Sequence, residues 1–236
     1  MNKYFKILTA FLLITANTVL AQNNALKTGL SDALTGYMNL SYERKINETQ
    51  SLLFKFGYMQ PTRSPFISEE TLTPDPLTME DANGGINTSI EYRFYVAKKK
   101  SPHGLYLGPY FRYFNQALKY TDEIDDRIFN VDLNSNSFGI GGIIGHQVII
   151  SDIIVLDFSF FGAGVDLHNI KFQYQSQQPG EEFDYSSIEG DIREVFKDID
   201  YLEKKLNFTP HNDKLITKLP FLFPGFRIGV SAGIAF

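Results

Sequence analysis

Apolar and polar residues alternate with a period of two along most of this chain. The segment 86–96, INTSIEYRFYV, is the most regular example, with Ile86, Ile90 and Phe94 on one face and Glu91 and Arg93 on the other. This period is typical of a β-strand whose two faces differ in polarity. Similar alternation predicts eight strands, within residues 26–36, 37–46, 51–60, 86–96, 105–118, 137–150, 153–167 and 221–236.

The connections between these strands alternate in length. Residues 47–50, 97–104 and 151–152 are short connections, whereas 60–84, 119–134 and 168–219 are long and polar. The connection near 34–36 is short and departs from the rule. Short turns on one rim and long loops on the other are typical of an up-and-down transmembrane barrel.

The polar faces of the strands carry seven charged residues, which decide the orientation of the predicted sheet. In an apolar core they would cost several kcal/mol each, whereas in a barrel lumen they pair with one another while the apolar faces meet lipid. We therefore predict an all-β fold, an eight-stranded antiparallel up-and-down transmembrane β-barrel with a filled lumen. A soluble sandwich with its charges in water is the alternative. The predicted lumen network is Glu43, Lys55, Glu91, Arg93, Arg112, Asp157 and Arg227. Opposite signs on adjacent strands predict that Glu43 lies beside Lys55, Glu91 near Arg112 and Asp157 beside Arg227.

The two ends of the sequence also suggest export. Lys3 and Lys6 precede an apolar stretch that ends in Val-Leu-Ala, which predicts a signal peptide over residues 1–21 and a single barrel domain over 22–236. The mean hydropathy of −0.16 is unremarkable, as it is for barrels whose strands alternate. The last strand ends on an aromatic residue, and its apolar face is formed by Phe226, Ile228, Val230, Ala232, Ile234 and Phe236.

The segments SYERKI, SLLFKFGY and EYRFYV, together with the terminal strand, resemble small, uncharacterised eight-stranded outer-membrane barrels of Bacteroidota. The resemblance implies that outer-membrane lipid surrounds the barrel. It also implies that the barrel-assembly machinery reads Phe226, Ile228, Val230, Ile234 and Phe236 during biogenesis. It implies no activity, because a fold by itself does not give a function.

The three long connections are acidic. They hold 20 of the 27 acidic residues but only 10 of the 22 Lys and Arg residues, a net charge of 10 − 20 = −10. Within the last of them, residues 191–206 have helical spacing, with Asp191 as the expected N-cap and Glu194 three residues later. We expect a structural or interaction role on these loops, with a protein partner as one possibility.

Candidate chemistry is sparse. The four histidines, His103, His146, His168 and His211, lack the spacing of a metal site, and the net charge of −5 argues against a nucleic-acid partner. We expect no enzyme, no cofactor and no metal. Two other classes remain open: a narrow pore or accessory subunit of an outer-membrane transport complex, and a lipid-modifying hydrolase in which His168 would pair with a serine and an acid.

Overall fold

The computed structural model describes residues 23–34, 37–59, 84–96, 102–124, 127–178 and 184–236. The predicted signal peptide, most of the 60–84 connection and the basic turn 98–100 lie outside these ranges. The elements are β1 Asn24–Gly29, α1 Leu30–Leu34, β2 Tyr37–Asn47, β3 Gln50–Met59, β4 Gly85–Tyr95, β5 Gly104–Ile124, β6 Arg127–Ile150, β7 Ile154–Ser176, α2 Ser186–Phe196, α3 Asp200–Glu203, β8 Asn207–Pro210 and β9 Lys214–Ala235.

The strands form one antiparallel sheet that closes into a ring. Their order is β1-β2-β3-β4-β5-β6-β7-β9, and pairing of β1 with β9 closes the circle. The short strand β8 adds a ninth member at the outer part of β9. The sequence-based expectation of an all-β antiparallel closed sheet is confirmed in this form, and β8 was not expected.

Half of the ring is much taller than the other half. Strands β5, β6, β7 and β9 have 21 to 24 residues, whereas β1 to β4 have 6 to 11. The prediction of loops at 119–134 and over most of 168–219 was wrong, since β5 pairs with β6 up to Ile124↔Arg127 and β7 pairs with β9 up to Gln175↔Lys214. Both faces of these extensions carry polar groups, so their sequence lacks the apolar alternation of the other strands.

The short connection between β6 and β7 has the geometry of a tight hairpin turn. Ser151 and Asp152 have positive φ values of 50° and 61°. Positive φ at both central residues gives a turn whose twist matches the right-handed twist of the flanking strands. The described turns at this end of the ring, at 48–49 and 151–152, are therefore compact, as the sequence predicted for residues 151–152.

The ring is polar inside and apolar outside. Residues of one parity, such as Glu43, Glu91 and Asp157, are buried in the interior, while their neighbours lie exposed on the outer face. The exposed apolar face extends over seven of the eight strands of the ring, all except β1, and includes Leu40, Tyr42, Phe54, Phe56, Ile90, Phe94, Leu107, Phe111, Ile140, Ile144, Val165, Phe161, Phe226 and Ile228.

This apolar belt ends at a common border on the tall half of the ring. Its last members, Tyr113, Phe138, Leu167 and Leu222, are neighbours in register across β5, β6, β7 and β9. Two residues further along each strand, polar residues or proline take over the outer face. These residues are Asn115, Asn136, Asn169 and Pro220.

Helix α2 packs on the inward side of the tall strands. Ile188 and Ile192 are buried against Phe129, Val131 and Leu215. Among the described residues, no helix is long and apolar enough to cross a membrane. Ile188 and Ile192 place α2 in a small apolar core that it forms with the tall strands.

The predicted boundaries of this helix were wrong. It begins at Ser186, whose N–H donates to Asp184 Oδ1 at 3.0 Å, so Asp191 lies inside the helix and not at its N-cap. The chain leaves the α2 helix after Phe196 and resumes with the four-residue α3. The helix starts five residues earlier than predicted because Ile188 is buried against the tall strands. The local sequence does not indicate this contact.

Candidate functional site

The ring interior contains a sealed layer of five charged side chains. Lys27 Nζ lies 2.7 Å from Glu43 Oε2 and 2.6 Å from Asp157 Oδ2. Arg93 Nη1 lies 2.7 Å from Asp157 Oδ2, and its Nη2 lies 2.6 Å from Glu91 Oε2. All five residues are at most 3% exposed. Charges at this depth are tolerated only when they are paired and hydrogen-bonded.

Polar and aromatic side chains fill the space around this layer. The hydroxyl of Tyr95 donates to Glu43 at 2.6 Å, and that of Tyr106 donates to Asp157 at 2.8 Å. Gln147 Oε1 accepts from Lys27 Nζ at 2.7 Å. The Arg93 guanidinium lies over the Tyr106 ring, 4.1 Å from its centroid. Side chains thus occupy the cross-section of the ring at this level.

A second, more open layer lies on the side of the tall strands. Lys55 pairs with Asp32 from α1, and Arg112 forms a two-pronged pair with Asp166. Arg227 Nη2 lies 2.6 Å from Glu91 Oε1 and so links this layer to the sealed one. Except for Asp166, which is largely buried, these side chains keep between 13% and 28% of their surface exposed, so water reaches this layer.

The two layers together are electrically balanced. The ion pairs join five cations to five anions, a net charge of 5 − 5 = 0. The cations are Lys27, Lys55, Arg93, Arg112 and Arg227, and the anions are Asp32, Glu43, Glu91, Asp157 and Asp166. The network is therefore neutral as a whole.

A cavity of about 320 Å³ lies in the open layer. Its charged lining consists of Lys55, Arg93, Arg112 and Arg227, opposed by Asp32, Glu91 and Asp157. This gives four cations against three anions around the space. The rest of the wall consists of the polar residues Ser41, Asn87, Ser89, Ser159 and Ser231 and of Leu53, Phe226, Ile228 and Gly229.

All seven charged residues singled out in the sequence point into the ring, but their partners differ from the expected ones. Glu43 pairs with Lys27 and Arg93 rather than Lys55, and Asp157 pairs with the same two cations rather than Arg227. Of the expected pairs on neighbouring strands, none is among the ion pairs of the described residues. Long side chains reach across the bore, which strand order alone does not reveal.

Sequence reasoning missed Lys27, Asp32, Gln147 and Asp166. Lys27 and Gln147 lie on the inward-facing sides of β1 and β6, so the alternation of apolar and polar residues in these strands could have predicted them. Asp166 is brought inside by a bulge at Phe160 and Phe161, which shifts the parity of β7. Asp32 belongs to α1, and its position depends on how that helix enters the ring.

The terminal strand lies with its apolar residues on the outer face. Phe226 and Ile228 are 68% and 74% exposed, whereas Val230 and Ile234 are partly covered. The backbone N–H of Phe236 donates to Asn24 O at 2.9 Å, so the last residue still pairs with β1. The proposed reading of this strand by assembly machinery stays a prediction.

The histidines are scattered over the described part of the chain. His103 and His146 have ring centroids 6.4 Å apart, and His168 stacks on Phe221 at 4.9 Å. Within the described ranges, no three His, Cys, Asp or Glu side chains are grouped so that they could hold a metal ion.

The fold and its interior define an all-β protein with a closed antiparallel sheet, an ion-paired core and an apolar outer face. The family model described as "Protein of unknown function (DUF3575)" matches residues 7–187, and the chain belongs to this family. No curated protein matches the chain. No solved structure matches it either.

Proposed function

We propose that this protein is an outer-membrane β-barrel, exported with a cleaved signal peptide, that has a structural or interaction role and is not a diffusion pore. The proposal rests on the polarity of the ring, which is polar inside and apolar outside, the reverse of a soluble protein. Exposed Leu, Ile and Phe side chains on seven of the eight strands would be costly in water, because soluble monomers rarely expose a contiguous apolar surface of this size. Lipid is the solvent that removes this cost.

The dimensions of the apolar belt fit a membrane. On β6 the outer apolar face runs from Phe138 to Ile150, about 40 Å of strand at roughly 3.3 Å per residue. At a tilt of about 45° this length covers roughly 28 Å, close to the hydrocarbon core of a bilayer. Tyr113 lies at the border on the tall half, and the hydroxyls of Tyr42 and Tyr92 donate to Asn24 and Gln50 at the starts of β1 and β3, at the opposite end. Tyrosines favour such positions at the membrane–water interface.

The sealed layer supports a closed lumen. An ion passing through would have to separate Lys27, Arg93 and their carboxylate partners, and each broken buried pair costs several kcal/mol. An eight-stranded ring has an interior just wide enough for side chains. We therefore assign the role of the protein to the tall strands with α2 and α3, which rise beyond the apolar belt.

Cell fractionation tests the membrane assignment. The protein is expected to remain with outer membranes after carbonate washing, and the unheated protein is expected to migrate faster in gels than the boiled protein, as closed barrels do. Release by carbonate, or a single unshifted band for protein with native β-sheet circular dichroism, would contradict the proposal.

Planar-bilayer recording tests the closed lumen. Refolded protein is expected to give no steady single-channel conductance, because the sealed layer leaves no continuous water path. The same recording on the Arg93→Ala variant shows whether loss of the central guanidinium opens a continuous water path. Reproducible conductance of the wild-type protein would contradict the closed lumen and favour a role as a narrow pore.

A further inference from the structure

The wall of the ring has a break beside α1. Pairing of β1 with β9 ends at Gly29↔Ser231, and pairing of β1 with β2 ends at Lys27↔Ser41. Beyond these points, residues 226–230 of β9 and 37–40 of β2 have no strand neighbour on the facing side within the described residues. The short helix α1 lies between the two edges, where Ser31 Oγ accepts from the Val230 N–H at 3.1 Å.

Two hollows of opposite character flank this break. The inner one is the polar cavity, and its lining includes Asp32 together with Phe226 and Ile228, whose side chains lie on the outer face of β9. The outer one has a volume of about 310 Å³ and is mostly apolar. Its lining residues are Thr28, Ala33, Tyr37, Met38, Asn39, Leu40 and Phe56. Neighbouring residues of α1, Asp32 and Ala33, thus line different hollows.

The inner cavity presents unused hydrogen-bonding groups. Three buried atoms in the cavity wall, Ser89 Oγ, Arg227 Nη1 and Glu91 Oε1, have no hydrogen-bond partner. The charge of Glu91 Oε1 is balanced by Arg227 Nη2 at 2.6 Å, which leaves Ser89 Oγ and Arg227 Nη1 for a ligand. Ser89 is only 3% exposed, so bulk water does not satisfy its hydroxyl. An Arg Nη1 group is a donor only, and a hydroxyl can also donate. These groups therefore suit a ligand that carries acceptor oxygens.

We propose that this cavity binds the carboxylate of a single-chain amphiphile, such as a long-chain fatty acid, whose acyl chain leaves through the break into the membrane. The inference rests on the membrane location proposed above. Of the cations around the cavity, Arg112 is already paired with Asp166, whereas Arg227 keeps its Nη1 donor without a hydrogen-bond partner. That free donor matches a carboxylate oxygen. The acyl chain lies against the most exposed apolar residues at the rim, Phe226, Ile228 and Met38.

The break itself favours an amphiphile over a free anion. An unpaired strand edge is a liability in hydrocarbon, because no water is available to satisfy its backbone groups. An acyl chain beside residues 226–229 keeps water out on the apolar side, while the carboxylate occupies the polar side. A small anion such as acetate would fill the cavity without covering the break.

A tryptophan reporter measures this binding, since the chain has no tryptophan of its own. Met38→Trp places the reporter at the rim of the break, and Ile140→Trp places a matched reporter on β6, well away from it. Each variant is refolded into phosphatidylcholine vesicles and titrated with palmitate brominated on its acyl chain. We expect saturable quenching at position 38 and only the weaker, linear quenching of bilayer partitioning at position 140.

Cavity variants in the Met38→Trp background test the headgroup site. Arg227→Gln is expected to weaken the saturable phase about tenfold, since a charge-assisted hydrogen bond is lost, and Ser89→Ala to weaken it severalfold. Lys218→Gln removes one exposed charge from the same strand and is expected to change nothing. Hexadecanol and acetate are expected not to displace the brominated palmitate. If Arg227→Gln does not fold, the Ser89→Ala result decides.

The outcomes separate this inference from the membrane assignment. Brominated phosphatidylcholine should quench the reporter at position 140, and absence of that quenching would overturn the proposed function. If that quenching occurs, equal linear quenching by palmitate at positions 38 and 140 would overturn the amphiphile site. Displacement of the brominated palmitate by acetate would show a site for small anions and overturn the amphiphile. An unchanged midpoint of the quenching titration in both Arg227→Gln and Ser89→Ala would show that the carboxylate does not bind in the cavity.

Discussion

Replacing Asp157 with alanine is expected to lower the free energy of unfolding by about 3–5 kcal/mol, the usual cost of breaking a buried ion pair from one side. Its Oδ2 lies 2.6 Å from Lys27 Nζ and 2.7 Å from Arg93 Nη1, and its Oδ1 accepts from Tyr106. Without this carboxylate, Lys27 and Arg93 lose the anion that they share, and the Tyr106 hydroxyl loses this acceptor. Urea titration of the refolded protein, followed by the heat-dependent gel shift, measures the loss.

The control for Asp157→Ala is Asp132→Ala, at an ion pair on the outer face of the tall strands. Asp132 lies 3.6 Å from Lys119, and both side chains are about half exposed, so the loss of this pair is expected to change stability by less than about 1 kcal/mol. Equal effects of the two substitutions would show that the sealed layer does not contribute to folding in the way its burial implies.

Placing arginine at Ile144 is expected to destabilise the folded protein in lipid by about 2–4 kcal/mol, the cost of a cation near the bilayer midplane on the outer face of a barrel. Ile144 is exposed and lies halfway along the apolar face of β6. In water the same substitution would be close to neutral, because an exposed arginine is well solvated. The sign of the effect therefore reports which solvent surrounds the ring.

Asn130→Arg is the matched control for Ile144→Arg. Asn130 lies on the same strand and the same face, but beyond the border at Asn136, and it is exposed. We expect its stability in lipid to stay within about 0.5 kcal/mol of wild type, the usual range for surface substitutions. If both arginines are tolerated equally by protein folded in lipid vesicles, the apolar belt does not face hydrocarbon.

The two experiments test different parts of the molecule. Asp157→Ala acts on the interior, whose ion pairs are present whatever surrounds the ring. Ile144→Arg acts on the outer face, where the surrounding solvent decides the cost. A large effect of the first with no effect of the second would keep the ion-paired interior and overturn the membrane location.

The local sequence was sufficient to predict the strands of the ring. In β4, the alternation from Ile86 to Phe94 assigns each side chain to a face, because successive side chains of a strand point to opposite faces. The same rule put Glu91 and Arg93 on the polar face without any knowledge of their partners. The turn at Ser151 and Asp152 was equally local, since two adjacent apolar strands leave only those residues to connect them.

The tall strands were not predictable in this way. Residues such as Asn134, Asn136 and Asn169 are polar on the outer face, so beyond the apolar belt the sequence no longer differs between the two faces. Pairing with the neighbouring strand keeps this part extended. The start of α2 at Ser186 likewise depends on burial of Ile188 against Phe129 and Val131, which are more than fifty residues away in the chain.

The sequence by itself determined which residues face the ring interior on the regular strands and which face outward. Only the tertiary structure decided how the interior charges combine. Arg93 contacts Glu91 on its own strand and Glu43 and Asp157 from other strands, and ring closure brings those strands together. The bulge that turns Asp166 inward and the break beside α1 also arise from ring closure. A closed ring fixes the lengths and registers of its strands together, and no single strand encodes them.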